Sequence, residues 1–171
     1  LEFRRVLFRS NQLLNGDKNA ILIAARILGY GKDYHINYTD PVTGITEKAT
    51  VNLSLIDAKP IDESLFTPEK NEFNFQLPYS GVSVTFKLLT HGDETKIEKE
   101  IEGLKKVNPQ QVTTVTTRLK HLLVAVNGDR DPVNVREFAE NMLARDIKAL
   151  REYLNKITPD LSLKVDAVKD N

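Results

Sequence analysis

The 171 residues contain no cysteine, which excludes a disulfide framework and any cysteine-built zinc site. Long apolar runs are also missing. A membrane-spanning helix needs roughly 18 or more apolar residues. The best stretch, residues 20–28, is shorter and contains Arg26. No membrane partner is therefore expected. Charge of one sign is not in excess, with 24 Lys+Arg against 24 Asp+Glu. Strong general affinity for nucleic acid needs clustered cations to neutralise phosphates, so nucleic acid is not an expected partner. No internal repeat or low-complexity tract appears.

Residues 1–10, Leu-Glu-Phe-Arg-Arg-Val-Leu-Phe-Arg-Ser, are best set aside before any reading of the fold. One codon choice for them spells a common sequencing-adapter end, so they are taken as artefactual or disordered. Arg4, Arg5 and Arg9 break up the apolar residues, and no signal-peptide core is present. Without these ten residues the chain keeps 21 basic and 23 acidic side chains, a net charge of −2. Residues 11–171 are expected to form a single α+β domain, truncated at both ends.

The most informative stretch is 131–159. Val135, Phe138 and Met142 form one apolar stripe at helical spacing, and Ile147, Leu150, Leu154 and Ile157 form a second. The five-residue step from Met142 to Ile147 turns the stripe by about 140° on an ideal helix. One straight helix cannot point both at the same core, so two helices with a break are predicted. Asp131 followed by Pro132 starts the first. Asp146 is placed to cap the second.

Upstream, Asp17 reads as the N-cap of a helix over 18–28. That helix is apolar nearly all round and so is expected to be buried, with Gly29 as its left-handed stop. Alternation then predicts a hairpin. Tyr34, Ile36 and Tyr38 share one face, Asp40-Pro-Val-Thr-Gly44 turns, and Ile45, Ala49, Val51, Leu53 and Leu55 return with Glu47 as the one misfit. Residues 57–71 form a long connection pinned by Leu65 and Phe66. A second hairpin carries Phe73, Phe75 and Leu77, a turn over 78–81, and Val82, Val84, Phe86 and Leu88. Together the hairpins predict a four-stranded, mostly antiparallel sheet.

A C-terminal set of helices follows. Asp93 is read as the cap of a helix to about Lys106, with Ile97, Ile101 and Leu104 inward. Asn108-Pro-Gln-Gln111 resembles a capping box and leads into a helix with Val112, Val115 and Leu119. Residues 122–126 are either its end or a brief strand. Asn127-Gly128-Asp129 is a strong turn signal. Pro159 ends the paired helices, and Leu161, Leu163, Val165 and Ala167 alternate as a last strand.

Candidate chemistry is thin. Gly31-Lys32 lacks the glycine and the hydroxyl residue of a phosphate loop, since Arg26 and Asp33 occupy those positions, and reads as a helix stop. Asn127, Asp129 and Asp131 alternate like calcium ligands, but Pro132 and Phe138 fall where the tight-turn glycine and the bidentate glutamate belong. His91, Asp93 and Glu94 could be drawn as an acid–base pair of a small hydrolase, although no nucleophile stands near them in sequence. His35 lies on a polar strand face and His121 at a helix end. Arg118, Lys120, Arg130, Arg136, Arg145, Lys148 and Arg151 make the C-terminal half loosely basic. Glu137, Glu140, Asp146 and Glu152 interleave, so a solvated helix face is the expected reading and a nucleic-acid-binding adaptor the alternative.

The order of motifs resembles the phage baseplate family typified by the T-even baseplate hub subunit and assembly protein. Four stretches carry it: Asn15-Gly-Asp-Lys-Asn-Ala-Ile-Leu-Ile-Ala-Ala-Arg-Ile-Leu-Gly-Tyr-Gly-Lys-Asp-Tyr34, the hairpin to Asp57, Val126-Asn-Gly-Asp129, and Phe138-Ala-Glu-Asn-Met-Leu-Ala-Arg-Asp-Ile-Lys-Ala-Leu-Arg151. Many relatives carry a C-P-x-C-G knuckle where this chain has Asp40-Pro-Val-Thr-Gly44. Zinc at that hairpin is therefore not expected here, and neither is any other cofactor. Relatives often have proline where Leu143 stands, and a further cysteine pair would be expected beyond Asn171. The resemblance implies a non-enzymatic protein of the virion tail baseplate, present in the host cytoplasm during assembly. Its partners would be other baseplate or tail proteins. Asn127, Gly128 and Asp129 in the turn, with Arg145 and Asp146 near the helix break, are the expected contact points, on the ground that polar turn residues without a core role need another reason.

Overall fold

The computed structural model describes residues 10–67, 70–107, 114–162 and 167–169. The chain is α+β, with several small antiparallel sheets. It divides into two compact units, one of residues 1–15 with 61–158 and one of residues 16–60 with 159–171.

In the larger unit, β4 (Phe73–Gln76) and β5 (Ser83–Phe86) form the expected hairpin, with Phe73 opposite Phe86 and Phe75 opposite Val84. A third strand, β6 (Leu123–Val126), joins β5 antiparallel. The brief apolar run after Leu122 is thus a strand, and its period-two burial puts Leu123 and Ala125 inward. Helices cover the sheet: α2 (His91–Val107), α3 (Thr114–Leu122), α4 (Pro132–Asn141) and α5 (Ala144–Ile157). The core gathers Phe73, Leu77, Val84, Phe86, Leu150 and Ile157, with Phe66 and Tyr153 packed against it. Tyr153 stacks on Phe75 with ring centroids 4.6 Å apart and meets Phe86 edge-on at 6.0 Å. Each fully buried Leu, Ile or Phe contributes about 1.5–3 kcal/mol relative to leaving it in water. Phe66 pins the connection, meeting Phe73 edge-on at 5.3 Å, whereas Leu65 is exposed.

The break between α4 and α5 is present. Met142 and Leu143 are extended, at φ −63, ψ 136 and φ −61, ψ 134. Val135, Met142, Leu150 and Ile157 all reach the core because the chain re-aims there. Asp131 caps α4 as expected, its Oδ1 accepting from the Val133 N–H at 2.8 Å.

In the smaller unit, α1 spans Asn15–Tyr30, β1 spans Asp33–Thr39 and β2 spans Thr46–Asn52. The β1–β2 hairpin has Asp33 opposite Asn52 and Thr39 opposite Thr46. Its turn closes through Asp40 N–H to the Ile45 carbonyl (3.0 Å) and Gly44 N–H to the Asp40 carbonyl (2.8 Å). Two C-terminal segments return here. β8 (Ala167–Lys169) pairs with β2, and β7 (Leu161–Ser162) pairs with β3 (Asp57–Ala58).

Several expectations are corrected. The two hairpins do not merge into one four-stranded sheet. Each recruits a third strand from later in the chain, giving the orders β1-β2-β8 and β4-β5-β6. Alternation reveals a strand's inward face but not which strand lies beside it. Helix α1 begins before Asp17, which sits in its first turn, and runs past Gly29 to Tyr30. Gly31, at φ +85, is the stop, its N–H closing on the Ile27 carbonyl at 2.9 Å. Nor is α1 buried: of its residues only Gly16 is. Residues 53–55, read as strand, form a single 3-10 turn capped by the Asn52 side chain. Leu104 and Val115, read as inward, are partly exposed. The capping box at 108–111 and Val112 lie outside the described residues, as do Leu163 and Val165 of the last strand.

Candidate docking surface

The expected contact residues come from two stretches far apart in sequence, and three of the five meet at one place. The chain runs through a tight turn between β4 and β5, closed by Gly81 N–H to the Leu77 carbonyl at 3.0 Å. Asp146 lies beneath it with no exposed surface. One carboxylate oxygen accepts from the Tyr79 N–H at 2.9 Å and the other from the Ser80 N–H at 3.0 Å. Asn127 holds the far end of the same turn. Its Oδ1 accepts from the Ser83 N–H at 3.0 Å, and its own N–H donates to the Ser83 carbonyl at 2.7 Å. The Arg145 guanidinium stands 5.7 Å from the Tyr79 ring centroid.

Asp146 therefore does not cap α5, as the sequence predicts. The cap position is Leu143, which offers no side-chain bond, and the carboxylate is committed to a turn 66 and 67 residues away. Asn127 (φ +49) and Gly128 (φ +83) are the two central residues of a hairpin turn between mutually bonded Val126 and Asp129. Asp129 faces the other way. Its Oδ1 accepts from the Asp131 N–H at 2.9 Å and its Oδ2 from the Asn134 amide at 2.7 Å, and these bonds hold its carboxyl below the ordinary range. Asp146, Asn127 and Asp129 thus each have a structural task within the fold.

The acid–base candidates are similarly occupied. Asp93 and Thr90 form a reciprocal cap at the start of α2. The Asp93 N–H donates to Thr90 Oγ1 at 3.2 Å, and the Thr90 N–H donates back to the carboxylate at 3.2 Å. The sequence predicts Asp93 itself as the cap; it is the partner of the capping threonine. Burial opposes its charge, but Lys87 at 3.0 Å and the Thr90 donors outweigh that, so its carboxyl lies below the usual value. Glu94 is paired with Arg118. His121 bonds Glu100 at 2.7 Å, and His35 bonds Thr50 at 2.8 Å. Among the described residues no group of three or more His, Asp or Glu is placed to hold a metal ion. At the first hairpin turn, the Asp40 carboxylate bends back onto the Val42 and Thr43 N–H groups, which lower its pKa.

The basic residues of the C-terminal half are largely neutralised within the fold. Arg130 forms a two-pronged pair with Glu72 at 2.7 and 3.0 Å, Lys120 meets Glu140 at 2.6 Å, and Lys148 lies 3.9 Å from Glu152. A groove of about 420 Å³ between α3 and α5 is lined mainly by Leu89, Val115, Leu119, Leu122, Ile147 and Leu154.

Exposed apolar residues concentrate in the smaller unit. Leu22 is 56 % exposed, Leu28 88 % and Tyr30 81 % on α1, and Val42 is 91 % exposed at the hairpin turn. Ile21, Tyr34, Tyr38, Ile45 and Leu55 are also open. Single exposed apolar residues are ordinary on protein surfaces, whereas here they are dense within one short stretch. The sequence carries the same pattern: α1 is apolar on nearly every side. No described helix is long and apolar enough to cross a membrane. No family model, no curated protein and no solved structure matches this chain.

Proposed function

We propose that this chain is a structural or assembly protein of the bacteriophage tail baseplate hub, acting by docking to other baseplate or tail proteins without catalysis. The reading begins from the resemblance carried by residues 15–34, the first hairpin, 126–129 and 138–151. What supports it most is the apolar exposure of α1 and the first hairpin, because an interface core needs apolar side chains that water would otherwise surround. The Tyr79–Arg145 pair adds a rigid aromatic–cation anchor of the kind enriched at interface centres. The protein would reside in the virion tail baseplate and, during assembly, in the host cytoplasm.

The test is co-expression with tail-tube, tape-measure and baseplate proteins of the phage family that the chain resembles. The chain is expected to co-purify with one of them. Leu22→Glu with Leu28→Glu should abolish that binding while leaving thermal unfolding nearly unchanged, since both side chains already face water. A chain that ignores every baseplate subunit, or a double variant that binds as before, refutes the reading.

A further inference from the structure

We infer that two copies of this chain associate through strand β1, by antiparallel pairing about a two-fold axis at Ile36. Strand β1 presents an open edge. Among the described residues β1 has β2 as its only strand neighbour, and every β1 residue except Ile36 is exposed. Proteins blunt free edges with lysine, proline, bulges or very short strands. β1 has none of these, and its one charge, Asp33, stands at its first position: it is seven residues long, Asp-Tyr-His-Ile-Asn-Tyr-Thr, and pairs in unbroken register. The opposite edge of the same sheet is β8, three residues long among the described residues.

The hydrogen-bond parity of the hairpin fixes which groups are free for a new strand. Asp40 N–H bonds the Ile45 carbonyl at 3.0 Å, and Leu53 N–H bonds the Lys32 carbonyl at 2.8 Å. Bonded pairs alternate along an antiparallel ladder, so Tyr34, Ile36 and Tyr38 spend their main-chain groups on β2. The main-chain groups of Asp33, His35, Asn37 and Thr39 point away from it. The side-chain bonds His35–Thr50 (2.8 Å) and Thr39–Thr46 (3.0 Å) fall at the closer, non-bonded pairs, as that parity requires.

The strand is also complementary to itself. A two-fold axis at Ile36 sets Asp33 opposite Thr39 and His35 opposite Asn37, and these are the residues whose main-chain groups face outward. All four pairs across the axis can therefore exchange both of their bonds. Tyr34 then lies opposite Tyr38, and Ile36 opposite its own copy. Aromatic cross-strand pairs stabilise such a ladder, and no like charges meet. Both tyrosines are roughly half exposed in the single chain and would be covered on pairing. The inference goes beyond baseplate docking and does not depend on it.

The absence of cysteine gives a clean test. Sedimentation of the full chain across a concentration series should show the 19.4 kDa species converting to one of twice that mass. Ile36→Cys, opposite itself at a close pair, should oxidise to a linked dimer several-fold faster than Val42→Cys. Val42 lies in the turn beyond Thr39, which is itself about 10 Å along the strand from the axis, so the two copies of Val42 fall on opposite sides of the axis, far beyond disulfide reach. Asn37→Pro removes one outward N–H and leaves the β2 ladder intact, so it should abolish the doubled mass without loss of β-sheet circular dichroism. A single-chain mass at every concentration overturns the proposal. So does a dimer in which Ile36→Cys links no faster than Val42→Cys. Either result leaves binding to baseplate subunits, measured separately, untouched.

Discussion

Removing the carboxylate of Asp146 should destabilise the protein far more than its position on a helix surface would imply. The side chain has no exposed surface, and its two oxygens take the N–H groups of Tyr79 and Ser80 at 2.9 and 3.0 Å. A hydrogen bond to a charged acceptor contributes about 1.5–3 kcal/mol, and stranding a buried donor costs about 1–3 kcal/mol. The Tyr79 residue is 59 % exposed, so water can reach part of the turn once the carboxylate is gone. That places Asp146→Ala at about 2–4 kcal/mol, toward the lower end of losing both bonds. Asp146→Asn keeps one acceptor oxygen but turns a donor toward the other N–H, and should cost about half as much. A domain of this kind has about 5–15 kcal/mol of stability in total, so the alanine variant should remain folded and measurable. Urea unfolding gives the free energies. Amide exchange at Tyr79 and Ser80 should accelerate in both variants, more in the alanine one. An alanine variant within about 0.5 kcal/mol of the parent, the range of ordinary surface substitutions, would refute the reasoning.

Three further outcomes follow from local geometry. Leu143 has φ −61, and the preceding Met142 is extended at ψ 136, so Leu143→Pro should stabilise by about 0.4–1 kcal/mol through the unfolded chain, read as a raised urea midpoint. A Cβ on Gly16 would lie 2.7 Å from the Pro159 carbonyl carbon and 2.8 Å from Asp160 Cα, both backbone atoms that cannot swing aside. Gly16→Ala should therefore cost about 1–3 kcal/mol and expose the 159–160 segment to protease, whereas Gly29→Ala, with open space around it, should gain up to about 1 kcal/mol. Asp93 has a folded pKa below its ordinary 3.8, so its contribution is present above that value and is lost as pH falls through the lower folded one; Asp93→Asn should flatten the stability curve in that acid window, measured by thermal unfolding below about pH 4.

What could be read from the sequence was what neighbouring residues decide. The five-residue step between stripes requires a break near Met142, and the chain breaks there. Asp131-Pro132 starts a helix because a carboxylate and a ring-locked φ satisfy the first turn locally. The Asn127-Gly128 turn is fixed by two residues able to hold positive φ. Pairings across distance were not legible. β6 joins β5 and β8 joins β2 from far along the chain, and period-two patterning carries no information about a strand's neighbour. Asp146 is the sharpest case. As the third residue of α5 it looks like a local cap, and nothing near it in sequence announces the turn it holds.

The apolar pattern of α1 predicts burial, and within the chain the helix is not buried. Its leucines and isoleucines have the spacing of a helix surrounded on all sides, yet Leu22, Leu28 and Ile21 remain open. In residues 61–158 the same side-chain types close a core around Phe86, Leu77 and Leu150. On the proposed reading, stability and docking would therefore be carried by different stretches of one polypeptide. Changes at Asp146 or Leu150 should act on the unfolding free energy and leave affinity per folded molecule intact. Changes at Leu22 or Leu28 should do the reverse, because a residue already in water loses nothing on folding and everything on association. A substitution at Leu28 that lowered stability as much as one at Leu150 would mean that the helix is not waiting for a partner.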